Sequence, residues 1–184
     1  MDASGEARYS ARMILLTGKH AVTRLTGIIH PKYQVHRFSV HLSVRQVYAL
    51  DPLGEVDFGG NEYVAAGRIA VAAQRRRTED RYEWWDLGRG CYVVEYNEAL
   101  ELDEDEIGWL EPEQRLLRAG AAHVTTTLRG HVAPIETLLH VETMRIQLKQ
   151  NARISRLRVF RLTPPGARSS AAPKRATRRL KPLA

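Results

Sequence analysis

A chain of 184 residues is long enough for one domain with a sizeable buried core. Its 43% hydrophobic and 27% charged residues are those of a soluble globular protein, and its one cysteine, Cys91, excludes an internal disulfide framework. Of the net charge of +7, most sits after Leu162, where Arg168, Lys174, Arg175, Arg178, Arg179 and Lys181 occur with no acid among them; the body is near neutral in total, so any nucleic-acid footprint is expected in the tail.

In chain order, residues 1–11 are small, polar and charged with no period, and read as a flexible N-terminus. They lack the apolar core of a secretory signal, and no run approaches the roughly 18 apolar residues of a membrane span. With a single thiol suited to a reducing compartment, the expected location is the cytoplasm. Met13–Leu16 predicts a short strand, Thr17 an N-cap, and Ala21, Val22, Leu25 and Ile28 a short helix that Gly27 stops before Pro31. From Gln34 to Val47, Phe38, Val40, Leu42 and Val44 share one parity, as in a half-buried strand. Asp51-Pro52, Gly54 and Gly59-Gly60-Asn61 mark turns; Tyr63–Ala73 is strand-like but alanine-rich, and Arg75-Arg76-Arg77 opens a charged loop. Trp84-Trp85 and Leu87 return to the core.

A glycine turn at Gly88-Arg89-Gly90 is expected to precede the strand Tyr92–Tyr96, a tight turn at Asn97-Glu98, the strand Ala99–Leu102 and a solvated acidic corner, Asp103–Glu106. Further strands are predicted at 121–127, at 131–140 with Pro134 at an edge or bulge, at 144–148, and from Ile154 to Leu162 after a turn at Gln150-Asn151-Ala152. Short strands, frequent turns and one early helix predict a mainly β fold, a barrel or sandwich. The domain is expected over residues 12–162, with residues 163–184 a basic disordered tail.

Motif chemistry is sparse. One cysteine precludes a Cys-x-x-Cys zinc site, the seven histidines form no His-Glu-x-x-His, and neither a Walker loop nor a dinucleotide glycine fingerprint is present. No zinc and no protein-held metal are expected; the histidines, His36 and His41 among them, read as strand or surface residues. The acidic run matches no EF-hand spacing.

Gly90, Tyr92, Asn97-Glu98, Leu102, Gly108, Leu116, Arg118 and Gly120 follow the order and spacing of a known pattern. In that pattern a proline-glycine, an aromatic, an Asn/Thr-Glu pair and a Leu-Pro lead into Arg-Ser-Ser-Leu-Ala-Arg-x-Gly. The stretch resembles the dCTP deaminase/dUTPase superfamily. Ile14–Lys19, Gln34–Val44 and Ile154–Phe160 resemble further segments of the same family, and the N-terminal helix favours its deaminase branch. The resemblance implies a distorted β-barrel or jelly roll of the dUTPase-like type, and a homotrimer with sites between subunits. It also implies a pyrimidine deoxynucleoside triphosphate as substrate, carried with Mg2+, and a glutamate that activates water for attack at cytosine C4 without zinc.

Carried onto this chain, the resemblance assigns Glu136 and Arg118 as catalytic residues, and Arg115, Gln114 and Arg156 as nucleotide-binding residues. It also shows departures. The family's Arg-Ser-Ser falls on Glu113-Gln114-Arg115, its strand aspartate on His41, its closing-strand glutamine on Arg156, and its Asp-Pro-Gly loop on Thr127–Gly130. A carboxylate at Glu113 repels phosphate. Three functions follow: a dCTP deaminase forming dUTP, with or without pyrophosphate release; a non-catalytic trimeric module binding nucleotide or protein; and a nucleic-acid-associated protein acting through its basic tail.

Overall fold

The computed structural model describes residues 12–51 and 53–163; the N-terminal stretch and nearly all of the basic tail, read above as flexible extensions, lie outside the described residues. The elements in order are β1 (Arg12–Leu15), α1 (Gly18–Ala21) running into a 3-10 turn at Val22–Arg24, β2 (Leu25–Thr26), α2 (Pro31–Gln34), β3 (Val40–Leu50), β4 (Arg68–Ala70), β5 (Trp84–Tyr96), β6 (Ala99–Glu101), β7 (Glu106–Pro112), α3 (Gln114–Arg118), β8 (Ala121–His123), β9 (Thr126–Leu128), β10 (His131–Val132), β11 (Glu136–Lys149) and β12 (Arg153–Thr163). The fold is mainly β, as the sequence predicts. The strand β12 continues one residue beyond the expected domain end at Leu162.

Seven strands run in the order β8-β11-β5-β3-β12-β7-β9, with β1 added beside β12 and β4 beside β3; β10-β6-β2 form a second, small sheet. All pairings are antiparallel. The large sheet curls around a core of Val40, Leu42, Val44, Val47, Trp85, Leu87, Val94, Tyr96, Leu110, Leu139, Leu157 and Val159, all buried. Within it, Ser155 joins Tyr96 and His123, whose Nε2 lies 2.7 Å from Ser155 Oγ, so these buried polar groups satisfy one another.

Four local expectations are corrected. No turn forms at Gly88–Gly90, because β5 runs through it against β11, whose register shifts between Val141 and Arg145 and absorbs the irregularity there. The strands expected at 131–140 and 144–148 are largely one strand, β11, preceded by the two-residue β10. The early helix is shorter than its apolar spacing suggests, because Leu25 and Thr26 pair with Leu100 and Ala99 in the small sheet. The acidic corner is not fully solvated. Glu106 is 1% exposed, with Arg24 Nε at 2.7 Å and Arg161 Nη2 at 2.6 Å. Burial raises its pKa, but the hydrogen bonds from Arg24 and Arg161 outweigh that and hold it low.

Candidate binding cleft

The turn between β11 and β12 carries the site. Asn151 takes the left-handed conformation, φ 61°, which asparagine tolerates better than most residues, and its N–H donates to the Val44 carbonyl at 3.0 Å. Opposite it, Pro31 opens α2, where its missing N–H costs no helical hydrogen bond. The last residue of that helix, Gln34, turns inward and is 2% exposed. Its Oε1 accepts the N–H groups of Ile29 and His30 at 2.9 and 2.7 Å, while its Nε2 donates to the His41 carbonyl at 2.9 Å and to Glu98 Oε1 at 2.6 Å.

Glu98 anchors this floor. It is 1% exposed, and it also accepts Ser43 N–H at 2.9 Å and Ser43 Oγ at 2.7 Å. Burial pushes its carboxyl up, and the hydrogen bonds from Ser43 and Gln34 pull it part of the way back. Its neighbour Asn97 donates to Ser43 and to Asn151 Oδ1, at 3.1 and 3.0 Å, tying the two walls together. All of this restrains the cleft rather than reading a ligand.

The cleft above has a volume of about 440 Å³. Its rim carries Arg115, Lys149 and Arg153, its walls Tyr33 and Tyr82, and no carboxylate lines it among the described residues. Arg115 donates to the Arg153 carbonyl, and Arg153 donates to that of Tyr33. The guanidinium of Arg115 is shifted below its ordinary pKa by burial and then by the neighbouring Arg153. Two cations crowded in this way form a site that an incoming anion would relieve.

Behind the rim, His41 stacks on His36 at 3.9 Å between ring centroids, with its Nε2 3.0 Å from Glu113 Oε1. Glu113 favours the charged ring, but burial, His36 and the cations Arg153, Arg115 and Arg156 prevail and lower the His41 pKa from 6.5 to about 3. The folded protein therefore holds His41 neutral, whereas the unfolded chain takes up a proton near pH 6.5, so stability falls as the pH drops from there. The acid limb of a urea-denaturation profile should flatten in His41→Asn, by at most about 1.4 kcal/mol per pH unit. A limb unchanged by the substitution would show that His41 protonates freely in the fold. His123, also shifted down by burial, leaves part of the limb in place.

The residues expected from the sequence are dispersed. Arg115 lines the cleft. Gln114 and Arg118 begin and end α3, both exposed. Arg156, on β12, faces Glu111 and Glu113 at 3.4 and 3.5 Å, so carboxylates of its own chain already balance its charge. Glu136 opens β11 and is held by both terminal nitrogens of Arg68. Lys149, at the cleft, closes that same strand, which puts Glu136 roughly 40 Å from the cleft along β11. Sequence reasoning missed Lys149, Arg153, Tyr33 and Tyr82. The Asn151 turn is legible, but cations and tyrosines from three separate segments leave no local pattern.

No protein-family model matches the chain. A probable deoxyuridine 5'-triphosphate nucleotidohydrolase of Methanosarcina acetivorans is 28% identical over 140 residues, covering 75% of this chain and 78% of that protein. Among solved structures, the 2'-deoxycytidine 5'-triphosphate deaminase of Agrobacterium tumefaciens is similar in fold, with a TM-score of 0.60 and 15% identity over 81% of this chain. The chain spans about half of that deaminase's length, 48%. A Staphylococcus bacteriophage 80alpha dUTPase overlaps 56% of the chain and 90% of its own at a TM-score of 0.40 and 9% identity.

Proposed function

We propose that this chain, which belongs to the dCTP deaminase/dUTPase superfamily, binds a pyrimidine deoxynucleoside triphosphate in the cleft of Arg115, Lys149 and Arg153. The observation that carries this reading is a concave site with three cations, two tyrosines and no carboxylate among the described residues. Phosphates suit the guanidinium forks, and the tyrosine rings suit a base. With no carboxylate in its lining, the cleft offers no hard ligand set for Mg2+; the ion would arrive on the nucleotide's own phosphates.

In its catalytic form, the proposal is deamination of dCTP to dUTP. Glu136 would take a proton from a water that attacks cytosine C4 and pass it to the exocyclic amino group, so that the C4–N bond breaks and ammonia leaves, with Arg118 stabilising charge. On this reading a neighbouring subunit of the proposed homotrimer brings its Glu136 to the cleft, because Glu136 and Lys149 lie at opposite ends of β11 within one chain. No helix among the described residues is long and apolar enough to cross a membrane; the proposed location is the cytoplasm. Binding without turnover is the second reading. The bidentate hold of Arg68 on Glu136 favours it, because both carboxylate oxygens already accept hydrogen bonds that a reacting water would have to displace or share.

Calorimetric titration of the full chain with dCTP and dUTP, each with magnesium, tests binding. Arg153→Ala should weaken it about tenfold to a hundredfold, the worth of one or two charge-assisted hydrogen bonds. Affinity equal to that of the parent chain would sink the cleft assignment. Chromatography of the nucleotides after incubation tests turnover: Glu136→Gln should abolish product while binding persists. No product from the parent chain at stoichiometric enzyme would leave only the binding reading.

A further inference from the structure

The nucleotide cleft does not end at Lys149. A second cleft of about 220 Å³ shares Arg115, Lys149, Ala152 and Arg153 with it and continues to Trp84 and Gln147. A third, of about 440 Å³, shares Trp84 and Gln147 with the second and is lined by Arg75, Arg76 and Arg145. Their shared lining residues place the three next to one another, from the β11–β12 turn to the β5–β11 surface, as one basic groove region. Six cations line it, and Asp86, paired with Arg145, is its single carboxylate among the described residues.

The aromatic groups along this groove are arranged for stacking. The Arg76 guanidinium lies 3.4 Å from the Trp84 ring centroid and is held by Gln147. Lys149 Nζ sits 5.3 Å from the Trp84 centroid and 5.5 Å from that of Tyr82. Guanidinium planes and aromatic rings are the two surfaces on which unpaired bases stack, while the surrounding cations neutralise phosphates. A duplex hides its base faces and cannot use the Trp84–Arg76 pair in this way.

We infer that this groove binds single-stranded nucleic acid through the folded domain, with phosphates along Arg75, Arg76, Arg145 and Lys149 and bases stacked at Trp84–Arg76 and Tyr82. None of these residues belongs to the basic tail, and the inference does not rest on the nucleotide reading: Lys149 and Tyr82 are shared with the nucleotide cleft, but Arg75, Arg76 and Trp84 do not line it.

The test uses the full chain and a labelled oligo-dT strand, following anisotropy and tryptophan fluorescence together. Binding should quench tryptophan, and log affinity should fall with log salt. Replacing both exposed arginines, Arg75→Glu with Arg76→Glu, should weaken binding at least tenfold and flatten the salt slope by about 1.4, two phosphate contacts on a single strand. Trp84→Phe should remove most of the quench while oligo-dT still binds. Calorimetry of dCTP with the double variant should match the parent chain, so failure of the groove and failure of the nucleotide cleft read out separately. A chain with its six tail cations changed to glutamine should keep the quench. The inference is overturned if the double arginine variant binds oligo-dT as the parent does, if neutralising the tail alone abolishes binding, or if a duplex or polyglutamate binds as tightly as oligo-dT.

Discussion

Glu98→Ala is expected to destabilise the domain by about 3–5 kcal/mol, lowering its melting temperature by roughly 10 °C. The side chain sits in the turn between β5 and β6 at 1% exposure and accepts Gln34 Nε2, Ser43 N and Ser43 Oγ at 2.6, 2.9 and 2.7 Å. Truncation leaves all three donors without their shared acceptor, and a buried unsatisfied donor costs about 1–3 kcal/mol. Gln34 cannot escape by flipping its amide, because its oxygen already accepts from Ile29 and His30, and its Nε2 also donates to the His41 carbonyl. Glu98→Gln keeps the shape but turns an NH2 toward a donor, so it should lose less, about 1–3 kcal/mol. Urea titrations of the three proteins measure the series, and a Glu98→Ala loss below about 1 kcal/mol would mean that water replaces the carboxylate. Gln34 and Ser43 line the cleft, so nucleotide affinity should fall in any variant that stays folded.

Gly27→Ala should be nearly as damaging, at about 3 kcal/mol or more, and for a different reason. Its φ of +76° belongs to glycine, and an added Cβ would lie 2.2 Å from the Asn97 carbonyl oxygen and 3.3 Å from Glu98 Cα. Both obstacles are backbone of the turn that carries Glu98, so relief would displace the anchor of the cleft. Gly60 provides the internal control: its φ is +79°, yet an added Cβ there would meet nothing within 4 Å. Gly60→Ala should cost only the conformational penalty, roughly 1 kcal/mol. Equal losses at the two glycines would show that the clash contributes nothing and that the turn yields freely.

The two expectations expose how unevenly the sequence speaks. The Asn97-Glu98 pair is legible as a turn from residue type alone, and it supports the family resemblance. Its task is invisible there: the donors to Glu98 come from Gln34 and Ser43, more than fifty residues earlier in the chain. Strand alternation marks Val40, Leu42 and Val44 correctly as core, yet it places Phe38 with them, and Phe38 is 43% exposed. The alternation holds only while the backbone pairs, and β3 begins at Val40. Ser43 breaks the pattern from the other side, buried at 2% because Glu98 satisfies it.

The expected site residues divide along the same line. Arg115 lies inside a contiguous motif and lines the cleft. Arg156 lies in a motif as well, but Glu111 on the neighbouring strand and Glu113 beside it take up its charge, and strand neighbours are not sequence neighbours. Glu106 reads in the sequence as one of the exposed acids around it; Arg24 and Arg161, each over fifty residues away, enclose it.

By itself the sequence determined what short-range physics controls: a mainly β chain, the Asn97 and Asn151 turns, the apolar parity of the long strands, a near-neutral body and a basic tail. Only the tertiary structure decided which charges are spent on their own chain and which face a groove. That depends on strand order and register, which bring Arg115, Lys149 and Arg153 to one rim and separate Glu136 from it by the length of β11. Electrostatic roles are set by distances of a few ångströms between segments far apart in sequence, and residue spacing along the chain carries no record of those distances.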